Sequence, residues 1–170
     1  MISKEKRRRF QKTIDFVKKS LPANSTILDL GTPNSLSELL RKEGYIVSNT
    51  SGEDLDNDLD LIINMNAHCT TSFEIFEHLL NPLGVLKALR SDCLIASVPL
   101  RLWFAKAYRN KNDRWDQHFH EFEDWQFDWL LEKAGWEIVR SEKWTSPTRI
   151  NGIRPILRLF TPRYYIVEAR

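Results

Sequence analysis

The segment Thr26-Ile-Leu-Asp-Leu-Gly31 could bind a nucleotide-like ligand. It is an apolar run that contains Asp29 and ends at Gly31, and a helix-start pattern follows at once from Asn34. A buried strand that turns tightly into a helix places free backbone N–H groups and the positive end of the helix dipole at the edge of a sheet. Open α/β sheets bind nucleotide-like ligands at that edge. The sequence therefore predicts a site for a nucleoside-type cofactor here.

The segment 101–122 combines aromatic and cationic side chains at high density. The aromatic residues Trp103, Phe104, Tyr108 and Trp115 alternate with Arg101, Lys106, Arg109, Lys111 and Arg114. Such a mixture could stack a sugar or a base while the cations hold a phosphate, although the aromatic rings could equally pack on the core. Because a long loop in a small domain is usually functional, we predict that 101–122 is a lid over an acceptor pocket.

The sequence contains no strong metal-binding pattern. The pair His118-x-His120 could bind zinc with Glu121 or Asp116, but no second histidine or cysteine pair stands at ligand spacing. A zinc site of that kind requires more ligands than one short loop supplies. We therefore predict no metal site.

The composition indicates a single domain, 1–170, with the apolar and charged fractions of an ordinary soluble protein. The net charge is +2, and no apolar run approaches the roughly 20 residues of a membrane span. The charged start, residues 1–9, is unlike a signal peptide, and Cys69 and Cys93 are expected to be reduced, buried thiols, so we expect a cytoplasmic protein. The basic residues near the N-terminus are typical of a solvated helix face, so nucleic acid is not predicted as a partner.

Alternating elements predict an α/β fold with a doubly wound, mostly parallel sheet. Apolar runs predict parallel strands with 26–31 inside the sheet, and periodic segments predict helices. The predicted strands are 26–30, 45–48, 59–63, 93–98, 136–140 and 163–168, and the predicted helices are 5–20, 36–43, 72–80, 83–89 and 125–134.

Four stretches in this order resemble the class I S-adenosylmethionine-dependent methyltransferases, in particular the small-molecule group with an "EHL…P" signature. They are Ile27-Leu-Asp-Leu-Gly31, Leu59-Asp-Leu-Ile-Ile63, Phe76-Glu-His-Leu-Leu-Asn-Pro82 and the unit from His118 to Val139. The resemblance implies a Rossmann-like methyltransferase fold and S-adenosylmethionine as cofactor. It also implies a small-molecule, glycan-linked or lipid-linked acceptor.

The resemblance also implies roles for individual residues. The cofactor would lie over Gly31 and against Asn49, and the implied cofactor-binding residues are Asp29, Gly31, Thr32, Asn49, Asn64 and Met65. Asn64 and Met65, which follow the predicted third strand 59–63, would close the adenine side of the cofactor site. His118 matches the family's histidine ahead of the closing helix and is the candidate general base, with His120 as the fallback; a histidine that only holds the lid is the alternative. For Glu77 and His78 we expect a structural or substrate-edge role.

The sequence departs from the family pattern in ways that bear on function. Only Gly31 remains of three glycines, Pro33 removes an N–H donor, and Asn49 stands where an acidic residue usually binds the ribose. The short link 50–59 predicts the loss of one helix and one edge strand. Two hypotheses stay open: an active methyltransferase, or a methyltransferase-like domain that has lost the cofactor and serves as a binding or scaffolding module.

Overall fold

The computed structural model of the protein describes residues 3–113, 115–145 and 153–170; Arg114, named above, lies outside the described residues. Its helices are α1 (Lys4–Ser20), α2 (Ser35–Lys42), α3 (Leu59–Ile63), α4 (Pro82–Ala88), α5 (Asp124–Ala134) and α6 (Ile153–Phe160). Its strands are β1 (Thr26–Asp29), β2 (Ile46–Asn49), β3 (Cys69–Phe73), β4 (Cys93–Pro99), β5 (Ile138–Trp144) and β6 (Tyr164–Ala169). Within these residues, no helix combines the length and apolar character needed to cross a membrane.

The six strands form one sheet in the order β2-β1-β3-β4-β6-β5. The first four pair in parallel, and β6 pairs antiparallel with both β4 and β5. This confirms the α/β prediction and the internal position of β1. Because the chain runs from β1 outward to β2 and then crosses back to β3, the topological switch point lies between the carboxyl ends of β1 and β3. The edge position of β2 agrees with the predicted loss of an edge strand.

The prediction of a strand at 59–63 is wrong, because this segment is the short helix α3. Ile62 is fully buried while Leu61 is 47% exposed, so only one face of the segment packs on the core. The third strand is instead Cys69–Phe73. It contains two threonines and a serine, so it lacks the continuous apolar run that predicts a buried strand. The predicted helix 72–80 is also wrong: this segment contains the end of β3 and a single 3₁₀ turn at Phe76–His78.

The connection from β2 to β3 is longer than the sequence suggested. It runs through residues 50–68 and contains α3, so the chain does not pass directly into a strand at residue 59. The residues after Asn49 form turns, and this loop lies beside the carboxyl end of β1. The crossover therefore supplies side chains to the switch point.

Helices cover both faces of the sheet. On one face, Phe10, Ile14 and Val17 of α1 pack with Ile27 of β1. On the other face, the neighbouring residue Leu28 packs with side chains of α4 and α5. Since successive side chains of a strand point to opposite faces, β1 contributes to two separate apolar clusters, as in a doubly wound fold.

The termini of several elements agree with their sequence signals. Helix α1 ends at Ser20, ahead of Pro22, and α5 ends at Gly135, which has a φ of +98°. Glycine is favoured at this position because other residues rarely adopt positive φ. The short helix α6 was not predicted.

The segment 101–122 follows β4, and its described residues form neither helix nor strand. A parallel β-bridge joins Leu100, just before the segment, to Phe122 at its end. The backbone N–H groups of Phe119 and His120 donate to the carbonyl oxygen of Glu77, at 2.8 and 3.2 Å. These bonds hold the segment against the 3₁₀ turn that follows β3, at the carboxyl edge of the sheet.

Candidate functional site

Two cavities lie at the switch point, and Gly31 and Ile75 line both of them. Their volumes are about 350 and 210 Å³. Gly31 follows β1 and Ile75 follows β3, so both cavities lie at the crevice in which open α/β sheets bind ligands. A single elongated ligand could therefore extend from one cavity into the other across Gly31.

The larger cavity has apolar walls and acidic groups. Ile75, Leu79 and Phe119 are among the apolar lining residues, and Glu53 and Asp54 bring carboxylates. A lining of this kind, with a few polar groups that fix orientation, is typical of a small-molecule site. Aromatic and aliphatic walls beside carboxylates suit a nucleoside, because its base is flat and its ribose hydroxyls can donate to the carboxylates.

The smaller cavity carries charges of both signs. Lys6 and Arg9 of α1 line it together with Glu74 and Ser97. An Arg9 Nη1 atom lies 3.2 Å from Glu74 Oε2, and Ser97 Oγ donates to Glu74 Oε1 at 2.9 Å. Cations and a carboxylate side by side complement the carboxylate and ammonium groups of a free amino acid.

Glycine at position 31 is favoured by the backbone conformation. Its φ is +99°, and a Cβ atom would lie 3.4 Å from Ile75 Cδ1. Its N–H donates to Thr50 Oγ1 at 2.7 Å. The loop after β1 is thereby tied to the loop after β2, and the backbone is left open toward both cavities.

Asp29, which lines the smaller cavity, and Asn49 are hydrogen-bonded to each other. Asn49 Nδ2 donates to Asp29 Oδ2 at 2.9 Å and to the Gly31 carbonyl at 3.3 Å, and Asn49 Oδ1 accepts from Arg41 at 2.7 Å. Thr71 Oγ1 donates to the other Asp29 oxygen at 2.8 Å. Burial raises the pKa of Asp29 to about 6, against the lowering effect of these hydrogen bonds.

The start of α2 offers fewer free N–H groups than the sequence suggested. Asn34 Oδ1 accepts from the N–H groups of Leu36 and Ser37, at 2.8 and 3.3 Å, and the Asn34 N–H donates to Ser37 Oγ at 2.9 Å. This reciprocal cap satisfies donors that would otherwise be open to an anion. Thr32 is exposed and lines the smaller cavity, beside Pro33.

Asn64 and Met65 do not occupy the place expected for them. They follow α3 and not the third strand, because 59–63 is helical. Asn64 is exposed and donates to the Asp60 carbonyl at 2.7 Å, and Met65 packs against the main apolar cluster. Among the described residues, the positions after the third strand are held by Glu74 and Ile75 instead.

A third cavity, of about 270 Å³, lies beneath the segment 101–122. Its lining is polar and is formed by Arg9, Glu74, Glu77, His78, Pro99, Tyr108, Asp116, His118, Arg163 and Tyr164. It shares Arg9 and Glu74 with the smaller cavity at the switch point, and it shares His78 with the larger one. The three cavities are therefore neighbours around the carboxyl end of β3.

His118 lines the third cavity. Its Nδ1 atom is 3.1 Å from Glu121 Oε1, and its ring stacks edge-on against His78 with centroids 4.9 Å apart. Burial lowers the pKa of His118, against the raising effect of Glu121. The imidazole is consequently neutral near pH 7 and able to accept a proton.

His120 lies elsewhere, so the structure does not place the fallback base beside His118. Its ring stacks on Phe122 with centroids 5.4 Å apart. It lines a separate apolar groove together with Trp125 and Trp129 of α5. The backbone bends at Phe119, between the two histidines, and their side chains lie in different sites.

Glu77 and His78 are the residues that sequence reasoning undervalued most. Glu77 is 1% exposed, its Oε2 atom has no hydrogen-bond partner, and burial together with the neighbouring Glu74 raises its pKa well above the usual range. Candidate ligand atoms of Glu77, His78 and His118 lie within 4.8 Å of one another. The Glu-His dipeptide was visible in the sequence, but its proximity to His118, 40 residues away, was not. Glu53 and Thr50 were also missed as site residues.

No protein-family model matches the sequence, and no curated protein matches it. Solved structures do match the fold. An S-adenosylmethionine-dependent methyltransferase from Archaeoglobus fulgidus gives a TM-score of 0.62 at 14% identity, with 94% of this chain and 93% of that chain covered. The magnesium protoporphyrin IX methyltransferase from Synechocystis PCC 6803 with bound SAH gives 0.61 at 15% identity, with coverage of 97% and 82%.

A third similar structure shows how far the likeness extends. The [4+2]-cyclase SpnF gives a TM-score of 0.58 at 14% identity and covers 97% of this chain and 82% of its own. Proteins named for different reactions thus share this architecture, so the likeness identifies the fold and not the reaction. The chain has the Rossmann-like fold of the class I S-adenosylmethionine-dependent methyltransferases.

Proposed function

We propose that the protein is an S-adenosylmethionine-dependent methyltransferase. The observation that carries this proposal is the pair of cavities that meet at Gly31, one apolar with carboxylates and one with charges of both signs. S-adenosylmethionine is a nucleoside joined to an amino acid through a cationic sulfur. Its two ends match the two cavities in chemistry, and the junction falls at the switch point of the sheet.

Glu53 is the residue we propose to bind the ribose in place of the missing carboxylate at position 49. It lines the larger cavity, and its Oε2 atom accepts from the Ser51 N–H at 2.7 Å. Backbone hydrogen bonds lower the pKa of Glu53, so the carboxylate is charged at neutral pH. A charged carboxylate accepts hydroxyl hydrogen bonds more strongly than an amide oxygen does.

The amino-acid end of the cofactor is proposed to bind in the smaller cavity. Lys6 and Arg9 would hold the carboxylate, and Glu74 would hold the ammonium group. Binding would replace part of the Arg9–Glu74 ion pair with two new ion pairs. This arrangement does not need the backbone N–H groups that already donate to the side chains of Asn34 and Thr50.

The third cavity is the proposed acceptor site, with 101–122 as its lid. Methyl transfer from a sulfonium depends mainly on positioning, and a base is needed only for a poor nucleophile. His118 is the proposed base, because it lies in this cavity and is neutral near pH 7. The acceptor is proposed to be a small-molecule, glycan-linked or lipid-linked compound with a hydroxyl, amine or carboxyl group, and the reaction is proposed to take place in the cytoplasm.

Calorimetric titration with S-adenosylhomocysteine tests the cofactor site. The wild-type chain is expected to bind one equivalent, and Glu53→Gln is expected to weaken binding about tenfold, in line with the loss of a charged hydrogen bond. Glu132→Gln, at an exposed position of α5, is the matched control and should bind like the wild type. Absence of binding by the wild-type chain, or equal affinity of the Glu53→Gln variant, would overturn the assignment.

A binding or scaffolding module that has lost the cofactor is the second candidate function. The observation that favours it is that backbone groups near the switch point are already hydrogen-bonded within the protein. The Gly31 carbonyl accepts from Asn49, the Gly31 N–H donates to Thr50, and the Leu36 N–H donates to Asn34, so these groups are not open to a ligand. A folded wild-type chain that binds neither S-adenosylhomocysteine nor S-adenosylmethionine would support this candidate. Transfer of a labelled methyl group to any acceptor would exclude it.

A further inference from the structure

We propose that Glu77, His78 and His118 form a binding site for a divalent first-row transition-metal ion such as Zn²⁺ or Co²⁺. Candidate ligand atoms of the three residues lie within 4.8 Å of one another, and all three residues line the third cavity. Two imidazoles and one carboxylate are a common ligand set for such ions. Water or an oxygen atom of a ligand in the cavity can complete the coordination shell.

The hydrogen bonds of the two histidines engage the same ring nitrogen, Nδ1, of each and leave Nε2 available to a metal ion. His78 Nδ1 lies 2.9 Å from the carbonyl oxygen of Gln117, and His118 Nδ1 lies 3.1 Å from Glu121 Oε1. Because both partners are acceptors, each Nδ1 carries the proton and each Nε2 carries the lone pair. Metal-binding histidines are usually fixed in this manner by a carbonyl or a carboxylate.

The third ligand is a buried carboxylate with an unused oxygen. Glu77 Oε2 is inaccessible to solvent and has no hydrogen-bond partner, while Glu77 Oε1 lies 3.7 Å from His78 Nε2. A buried polar atom without a partner costs free energy, so such an atom in a folded protein requires an explanation. A cation between Glu77 and the two Nε2 atoms would satisfy three acceptors at once.

The spacing is slightly wider than in a loaded site. Ligand atoms about 2.1 Å from a tetrahedral metal lie roughly 3.4 Å apart, so a separation of up to 4.8 Å would close by up to about 1.4 Å on binding. Side-chain rotation can supply this movement, since Glu77 and His78 both lie in a short 3₁₀ turn and His118 lies in an irregular segment.

The metal site gives the proposed methyltransferase a second way to activate an acceptor. A bound cation lowers the pKa of a coordinated hydroxyl group and orients it, as it does for bound water. This consequence rests on the proposed function, whereas the binding of the ion does not. With the ion bound, His118 is a ligand, and its role as a base applies to the metal-free protein.

Titration of the untagged full chain with Co²⁺, followed by visible absorption and calorimetry, tests the site. One equivalent is expected to bind to the wild-type chain and to be displaced by Zn²⁺. Glu77→Gln and His118→Ala are each expected to weaken binding by at least tenfold, and Glu121→Gln by 10- to 100-fold through the lost support of His118, an order-of-magnitude expectation. His68→Ala, at an exposed histidine outside the cluster, is the matched control and should bind like the wild type.

Thermal unfolding of each metal-free variant shows whether it is folded, and Glu77→Gln keeps the shape of the buried side chain. Absence of Co²⁺ binding by the wild-type chain up to millimolar concentration would overturn the proposal. Equal binding by folded Glu77→Gln and His118→Ala chains would overturn it as well. If the chain binds Co²⁺ but no S-adenosylhomocysteine, the proposed function is excluded and the metal site stands. If it binds S-adenosylhomocysteine but no Co²⁺, the metal site is excluded and the proposed function stands.

Discussion

Gly31 lines both cavities at the switch point, so a side chain at this position would compete with a bound ligand for space. Replacement by valine is expected to abolish S-adenosylhomocysteine binding, because the Cβ atom would lie 3.4 Å from Ile75 Cδ1 and its methyl groups would enter the cavities. Calorimetric titration measures this effect.

Gly44→Val is the matched control for this experiment. Gly44 has a similar φ of +93°, and a Cβ atom there would meet nothing within 4 Å. Both substitutions therefore introduce about 1–2 kcal/mol of backbone strain, but only one of them blocks the cavities. Unchanged affinity in a folded Gly31→Val chain would show that the cofactor site lies elsewhere.

His118 is the proposed base, and it lines the proposed acceptor site. If it removes the acceptor's proton, His118→Ala is expected to lower turnover by about 10²–10⁴-fold while S-adenosylhomocysteine binding survives. Turnover is measured by transfer of a labelled methyl group to an acceptor found by screening. His68→Ala should leave both properties unchanged.

Measured on the metal-free chain, turnover and cofactor binding together distinguish a base from a histidine that only holds the loop. Loss of turnover and cofactor binding together would indicate a histidine that holds the loop in place through Glu121. Full activity of the His118→Ala chain would remove this residue from the mechanism and leave positioning as the source of catalysis.

At the scale of elements, the loops that follow β1, β3 and β4 form the candidate site together. The segment 101–122 contacts the 3₁₀ turn after β3 through the Glu77 carbonyl, and its residue Phe119 lines the larger cavity. A ligand in that cavity would hold the segment more firmly, since local opening would have to break contacts with the ligand as well.

Trypsin cleavage measures this protection. Lys106, Arg109 and Lys111 are exposed in the free chain. Saturating S-adenosylhomocysteine is expected to slow cleavage at these sites about tenfold, because proteolysis follows the population of open states. The rate at Arg90, an exposed site outside the segment, is the internal control. Equal rates with and without ligand would show that a ligand in the larger cavity does not hold the segment 101–122 in place.

For the molecule as a whole, burial of Asp29 links stability to pH. The pKa of this carboxyl is raised from 3.8 to about 6 in the folded chain. Because the folded protein holds the proton more tightly than the unfolded chain does, the stabilising contribution is present below about pH 4 and is lost as the pH rises to about 6. The expected loss from this one group is about 3 kcal/mol in the free energy of unfolding.

Urea unfolding of the wild type and of Asp29→Asn across this pH range isolates the effect. The free energy of unfolding of the wild type should fall relative to that of the variant as the pH rises from about 4 to about 6. Asp92→Asn, at an exposed position, is the control and should follow the wild type. A constant difference between the wild type and Asp29→Asn would contradict a raised pKa at this site.

The sequence by itself determined the fold class, the internal position of β1 and the position of Gly31 in the turn after β1. These features follow from local apolar runs and from the residues that form turns. Helix α1, the end of α5 at Gly135 and the two terminal strands follow from the same kind of signal. Such patterns depend on neighbouring residues, so a single sequence contains them.

Only the tertiary structure decided which segment is the third strand and which side chains meet. Cys69–Phe73 is a buried strand of small polar residues, and its identity depends on pairing with β1 and β4. Other contacts between distant residues bring Glu77 close to His118, pair Asn49 with Asp29 and place Glu53 at the larger cavity. Contacts between residues far apart in the chain have no local periodicity, and for this reason the sequence alone did not predict them.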